Sequence, residues 1–153
     1  MRVDRASRRI SAPAARIYRA LTDRDAVQSW LPPAGAHGEI EAFDPRPGGA
    51  FRMTLVFDTP GDTGQRKSSA NTDVVDGEFL QLVPDERVQQ RFTFQSADPA
   101  FAGAMVMTWT LTPFDDATRV DISAEDVPPG IRPEDHQQGM ASSLENLARH
   151  VGG

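Results

Sequence analysis

From Gly38 to the end of the 120s, apolar and polar residues alternate with a period of two. Phe51, Met53, Leu55 and Phe57 alternate with Arg52, Thr54, Val56 and Asp58. Val88, Phe92 and Phe94 stand opposite Gln89, Arg91, Thr93 and Gln95, with Gln90 interrupting the apolar face. Met105, Met107, Trp109 and Leu111 alternate with Val106, Thr108, Thr110 and Thr112, and Val120, Ile122 and Ala124 with Arg119, Asp121 and Ser123. This pattern predicts antiparallel strands with one face in a core and the other in water. Pro47-Gly48-Gly49, Pro84-Asp85 and Asp115-Asp116 read as turns between them. Residues 59 to 71 show no period and predict a long hairpin loop.

The period changes at both ends of the chain. Residues 2 to 10 predict a first strand whose inward set is Asp4, Ala6, Arg8 and Ile10. Pro13 then opens a helix with Ile17, Ala20 and Leu21 inside, and Asp23 caps a short second helix carrying Ala26, Val27 and Trp30. Pro32-Pro33 closes it. Residues 131 to 151 predict one long helix on which Met140, Leu144, Leu147 and Val151 recur four, three and four apart. His136 continues that stripe one turn earlier, while Gln137, Gln138, Ser142, Glu145, Asn146 and Arg149 flank it. Pro133 suits the first helical position, Glu134 and Asp135 complement the positive end of the helix dipole, and Gly152-Gly153 ends the helix. A one-sided helix needs a large apolar partner, and nearly everything upstream is strand. The expectation is an α+β helix-grip: a curved antiparallel sheet of about seven strands around the last helix, with two short helices after the first strand.

Composition narrows the function classes. At 153 residues the chain reads as one domain over residues 1–153. With 16 basic and 22 acidic residues the net charge is −6, which argues against a nucleic-acid surface. The absence of cysteine excludes a disulfide framework and a thiolate site. The first eleven residues lack the apolar core of a signal peptide, and no apolar run approaches the ~20 residues of a membrane span. The expected location is therefore cytoplasmic, and the expected state a monomer or homodimer.

The order strand, two short helices, about six strands and a long helix resembles the START/Bet v 1-like superfamily (SRPBCC). Within it the chain is similar to the branch of the activator of the ninety-kilodalton heat-shock protein ATPase. The resemblance runs nearly end to end, through Arg9-Ile10-Ser11-Ala12-Pro13, Leu21-Thr22-Asp23, Trp30-Leu31-Pro32-Pro33 and Asp44-Pro45-Arg46-Pro47-Gly48-Gly49. It continues in Pro84-Asp85-Glu86-Arg87-Val88, Thr118-Arg119 and Gly139-Met140 with Leu144 and Leu147. The branch usually has Trp where Met140 stands and often an aromatic where Leu31 stands; both departures replace a flat ring by a more flexible group. What the resemblance implies is a hydrophobic cavity between sheet and long helix, used for lipids, polyketides or other apolar ligands.

Candidate ligand-binding residues are those that such a sheet turns toward the helix: Phe51, Met53, Leu55, Phe57, Phe92, Phe94, Met105, Met107 and Trp109, facing His136, Met140 and Leu144. Each also reads as plain core. The abundance of methionine and aromatic side chains on one face is what suggests adaptable apolar binding. Trp30 reads either as a lid at one end of the cavity or as a plug sealing it. His136 is suited to acid–base chemistry near neutral pH, or is simply a hydrogen-bonded histidine. Arg8 either meets a ligand's carboxylate or phenolate or pairs with an acidic neighbour at the surface.

No cofactor or metal is expected. Gly48-Gly49 lacks the context of a phosphate loop, and His37, His136 and His150 are too dispersed for zinc. Asp62, Asp73, Asp76 and Glu78 lack the spacing of a calcium loop. Three functions remain. The first is a non-catalytic carrier or sensor of a small apolar molecule, lipid-like or aromatic. The second is an enzyme of the cyclase, aromatase or dehydratase kind, and the third a co-chaperone-like interaction module. The eukaryotic activators carry a further domain, whereas this chain reads as the bare domain, which weighs against the third.

Overall fold

A computed structural model describes residues 2–32, 35–57, 72–94 and 98–152; the loop expected over residues 59–71 lies outside them. The elements run β1 (Val3–Ile10), α1 (Ala14–Thr22), α2 (Arg24–Trp30), β2 (Ala36–Phe43), β3 (Ala50–Phe57), β4 (Thr72–Val83), β5 (Arg87–Phe94), β6 (Met105–Phe114), β7 (Ala117–Glu125) and α3 (Pro133–Val151). A short 3-10 turn covers Pro99–Phe101.

The seven strands form one antiparallel sheet in the order β1-β7-β6-β5-β4-β3-β2. From β2 to β7 the chain meanders, each strand pairing with the next. β1 closes the far side by pairing with β7, so α1 and α2 must carry the chain from one edge of the sheet to the other. Register shifts at Ile40/Ala42 and Phe79/Gln81 mark bulges, which add bend to the normal twist of the sheet. The result is a concave face with α3 lying in it.

Local chemistry explains the helix limits. Asp23 separates the first two helices, and its Oδ2 accepts from the Ala26 N–H at 2.9 Å. α3 starts at Pro133, two residues later than the expected start at Ile131, because the ring of Pro133 is pre-set for the first helical position while Arg132 is still extended. Gly152 ends α3 in the left-handed conformation at φ 82°.

Burial follows the two periodicities. Met140, Leu144, Leu147, Ala148 and Val151 are the buried stripe of α3. They pack with Ile10, Ile17, Val27, Trp30, Phe51, Met53, Phe79, Val88 and Trp109 in one core. Phe43, Phe51, Phe79 and Phe92 meet edge to face with centroids 5.4–6.2 Å apart. On the opposite, wet face arginines fork to carboxylates across strands: Arg52 to Glu41 and Asp76, Arg91 to Glu78.

Candidate functional site

The concave face is not uniformly sealed. At the end covered by α1 and α2, Trp30 is 4% exposed; its indole N–H donates to the Ala20 carbonyl at 2.9 Å, and its ring meets Trp109 edge-on at 5.7 Å. Trp30 is thus held both by a hydrogen bond and by an aromatic partner. Phe51, Met53, Phe92, Trp109, Met140 and Leu144 are likewise buried in the main core.

At the opposite end, where α3 begins, inward-facing side chains are only half-buried. Leu55 and Phe57 on β3, Val75 on β4, Phe94 on β5 and Met107 on β6 all retain solvent access although they share the inner face with buried neighbours. Met107 touches both the main core and a smaller cluster of Met105, Ala124 and Val127, which Phe94 and Ile131 also join. The inner face is thus less completely covered at this end than at the end under α1 and α2.

Three polar groups border this end. His136 Nδ1 lies 2.7 Å from Asp4 Oδ2, with the two side chains 13% and 11% exposed. Arg2 holds the same carboxylate from the other side through Nη2 at 2.9 Å and Nε to Oδ1 at 3.2 Å. An ionised carboxylate only accepts, so Nδ1 carries the proton and, in the neutral ring, Nε2 is left as an acceptor. Burial alone would raise the Asp4 carboxyl; hydrogen bonds and charge from Arg2 and His136 outweigh it and hold the group below the usual carboxylate range. Gln90 and Asp73 are the other two, buried at 7% and 3% exposure on β5 and β4.

The expected residues therefore separate into groups. Leu55, Phe57, Phe94, Met105, Met107 and His136 gather at the half-open end. Trp30, Phe51, Met53, Phe92, Trp109, Met140 and Leu144 form its packed floor and far wall. Arg8 has the expected inward parity, since Ala6 and Ile10 beside it join the core, but its own side chain is exposed. It stands on the edge strand β1, across from Val120, and brings no buried cation to the concave face. Gln90 is the residue that period-two reading flagged as an interruption without assigning it a role. Asp4 was placed on the inward face but not recognised as the partner of His136, because 132 residues separate the two.

A separate surface cleft of about 500 Å³ lies where α1, α2 and the end of α3 meet, lined by Arg16, Arg19, Ala20, Asp23, Ala26, His150 and Val151. Arg16 is occupied there by the Val151 carbonyl at 3.3 Å. The cleft touches none of the strands and lies apart from the concave face. Among the described residues, no group of three or more acidic or histidine side chains is arranged as metal ligands.

Comparison with known proteins places this architecture. The family model for activator of Hsp90 ATPase homolog 1-like proteins matches residues 11–152. The chain belongs to this family. A crystal structure of protein CV1439 from Chromobacterium violaceum is 33% identical, with a TM-score of 0.85 over 99% of this chain and 97% of that one. Protein MLL2253 from Mesorhizobium loti is 25% identical, with a TM-score of 0.74 and the same coverage of both chains. DynU16, a protein of the dynemicin biosynthetic locus, shares the fold at 22% identity and a TM-score of 0.68, over 98% of this chain and 47% of that one. A comparison with curated proteins found no match. The activator-like family is of the SRPBCC type, a ligand-binding fold. Among the described residues no helix is long and apolar enough to cross a membrane.

Proposed function

We propose that this chain binds a small apolar molecule, lipid-like or aromatic, between the concave face of the sheet and α3, as a non-catalytic carrier or sensor. The observation that carries the reading is the contrast along the inner face. Tryptophan and phenylalanine seal the α1–α2 end, whereas Leu55, Phe57, Val75, Phe94 and Met107 stay half-exposed at the other. Apolar surface left accessible inside a concave fold is costly unless something covers it. Methionine suits such a wall because its unbranched side chain adapts to several apolar shapes.

Native mass spectrometry of freshly purified protein, combined with thermal melts against fatty acids, flavonoids and polyketide-like phenols, tests the reading. The expected result is a co-purifying apolar mass or a saturable rise in melting temperature. Neither a bound mass nor any rise across the panel would contradict it.

The Asp4–His136 pair favours a second reading, a cyclase-, aromatase- or dehydratase-like enzyme. A carboxylate that orients a histidine leaves the other ring nitrogen in position for proton transfer. In that case His136→Gln abolishes turnover while leaving binding nearly intact, because a group needed only in the transition state adds little to ground-state affinity. A pure carrier shows no turnover to lose.

A further inference from the structure

The inner face of β5 reads Val88, Gln90, Phe92, with exposures of 1%, 7% and 8%. Directly across the ladders, Gln90 faces Phe79 on β4 and Met107 on β6. An amide thus sits in the middle of an apolar wall, on the face turned toward α3. Its side chain makes no hydrogen bond to any described residue. The other two polar residues buried in the described structure differ in this respect. Thr118 donates its hydroxyl to the Ala12 carbonyl at 2.8 Å, and Asp73 has interaction partners of its own.

A primary amide offers two donors and an acceptor oxygen, and a buried one without partners is a standing cost that a leucine or methionine of similar size would remove. Its neighbour Met107 is one of the half-buried side chains of the open end. The amide therefore lies one strand away from accessible apolar surface.

Charge restricts what it receives. Arg8, the cation of the inward set, is exposed, and His136 and Arg2 are already engaged with Asp4. Asp73 adds an acidic residue to the same face. An anionic head would lose its hydration there and find no free cation among the described residues in return.

We propose that Gln90 is the specificity-determining residue of the site and that the molecule bound there is neutral, with an apolar body lying against Met107 and a hydroxyl or carbonyl oxygen hydrogen-bonded to the Gln90 amide. This rests on the reading of the concave face as a binding site. It favours phenols, ketones and alcohols over free fatty acids and plain hydrocarbons.

The test titrates the full chain, wild type and Gln90→Met, with naphthol, naphthalene and naphthoate, followed by tryptophan emission. In the wild type naphthol binds about tenfold tighter than naphthalene or naphthoate, the effect of one good hydrogen bond. In Gln90→Met that preference falls to about twofold or less while naphthalene affinity is kept. The unliganded variant melts at the same temperature as wild type or higher, since an unpartnered amide has been replaced by an apolar side chain. A lowered melting temperature would mean that the amide is already satisfied inside the fold, and would overturn the proposal. So would an undiminished naphthol preference in the variant, or a preference for naphthoate. Equal binding of naphthol and naphthalene by the wild type removes the role of Gln90 but leaves the binding site standing. Failure of all three probes removes both.

Discussion

Asp4 stands on β1 with Arg2 on one side and His136 of α3 on the other, and its carboxylate accepts from both. This trio fastens the first strand to the first turns of the last helix. Asp4→Ala leaves two donors without their acceptor, so it should cost about 1–3 kcal/mol at neutral pH in a urea melt. The acid limb follows from the depressed carboxyl. A group that binds protons less readily folded than unfolded makes stability rise with pH across its titration. Its contribution is complete above the unfolded value and is lost as pH falls through the lower folded one. The stability gap between wild type and Asp4→Asn should therefore be constant near pH 7 and shrink below about pH 4. A gap that grows toward acid would contradict the arrangement. Single residues were the least legible part of the sequence. Inward parity put Asp4, Ala6 and Ile10 on one face of β1, but alternation does not tell which strand lies at the edge of the sheet, where Arg8 stands exposed.

At the scale of elements, α3 was the most legible piece because its stripe repeats over the whole helix. Leu144 is 1% exposed, and Leu144→Ala should destabilise by about 2–5 kcal/mol. Glu145→Ala on the exposed face should cost about 0.5 kcal/mol or less. Equal losses at the two positions would mean that a different face is buried. β4 was hidden by its own composition. Asp73, Asp76, Gly77 and Glu78 break the alternation although Phe79, fully buried at 0% exposure, anchors the strand. Gly77 has a steric reason to be there, since a Cβ at that position would overlap the Arg91 carbonyl oxygen and sit 2.7 Å from Phe92 Cδ1. Gly77→Ala should therefore cost about 1–3 kcal/mol by overpacking the inner face, measured by thermal melt. A neutral result would mean that the paired backbone at Arg91 yields freely as well as the Phe92 ring. Asp23 was readable as a cap because capping is local, three residues from acceptor to donor.

At the scale of the molecule, the helix-grip plan was legible because element order alone demands it. A meander of strands followed by a one-sided helix leaves the helix nowhere to bury its stripe except on the sheet. What the order does not encode is how completely the two surfaces close on each other, since that depends on side-chain shapes meeting across long sequence separations. The half-open end beneath the start of α3 is the feature on which the binding reading rests. The methionines are its natural reporters. Of the five in the chain, Met53, Met105, Met107 and Met140 face the space between sheet and helix, and Met1 stands at the terminus. The most direct measurement is methyl NMR of protein carrying isotope-labelled methionine, titrated with naphthol. Binding between the sheet and α3 predicts saturable shifts at Met107 and Met105 and a smaller one at Met140. Unchanged Met105 and Met107 methyl signals at saturating naphthol would contradict it.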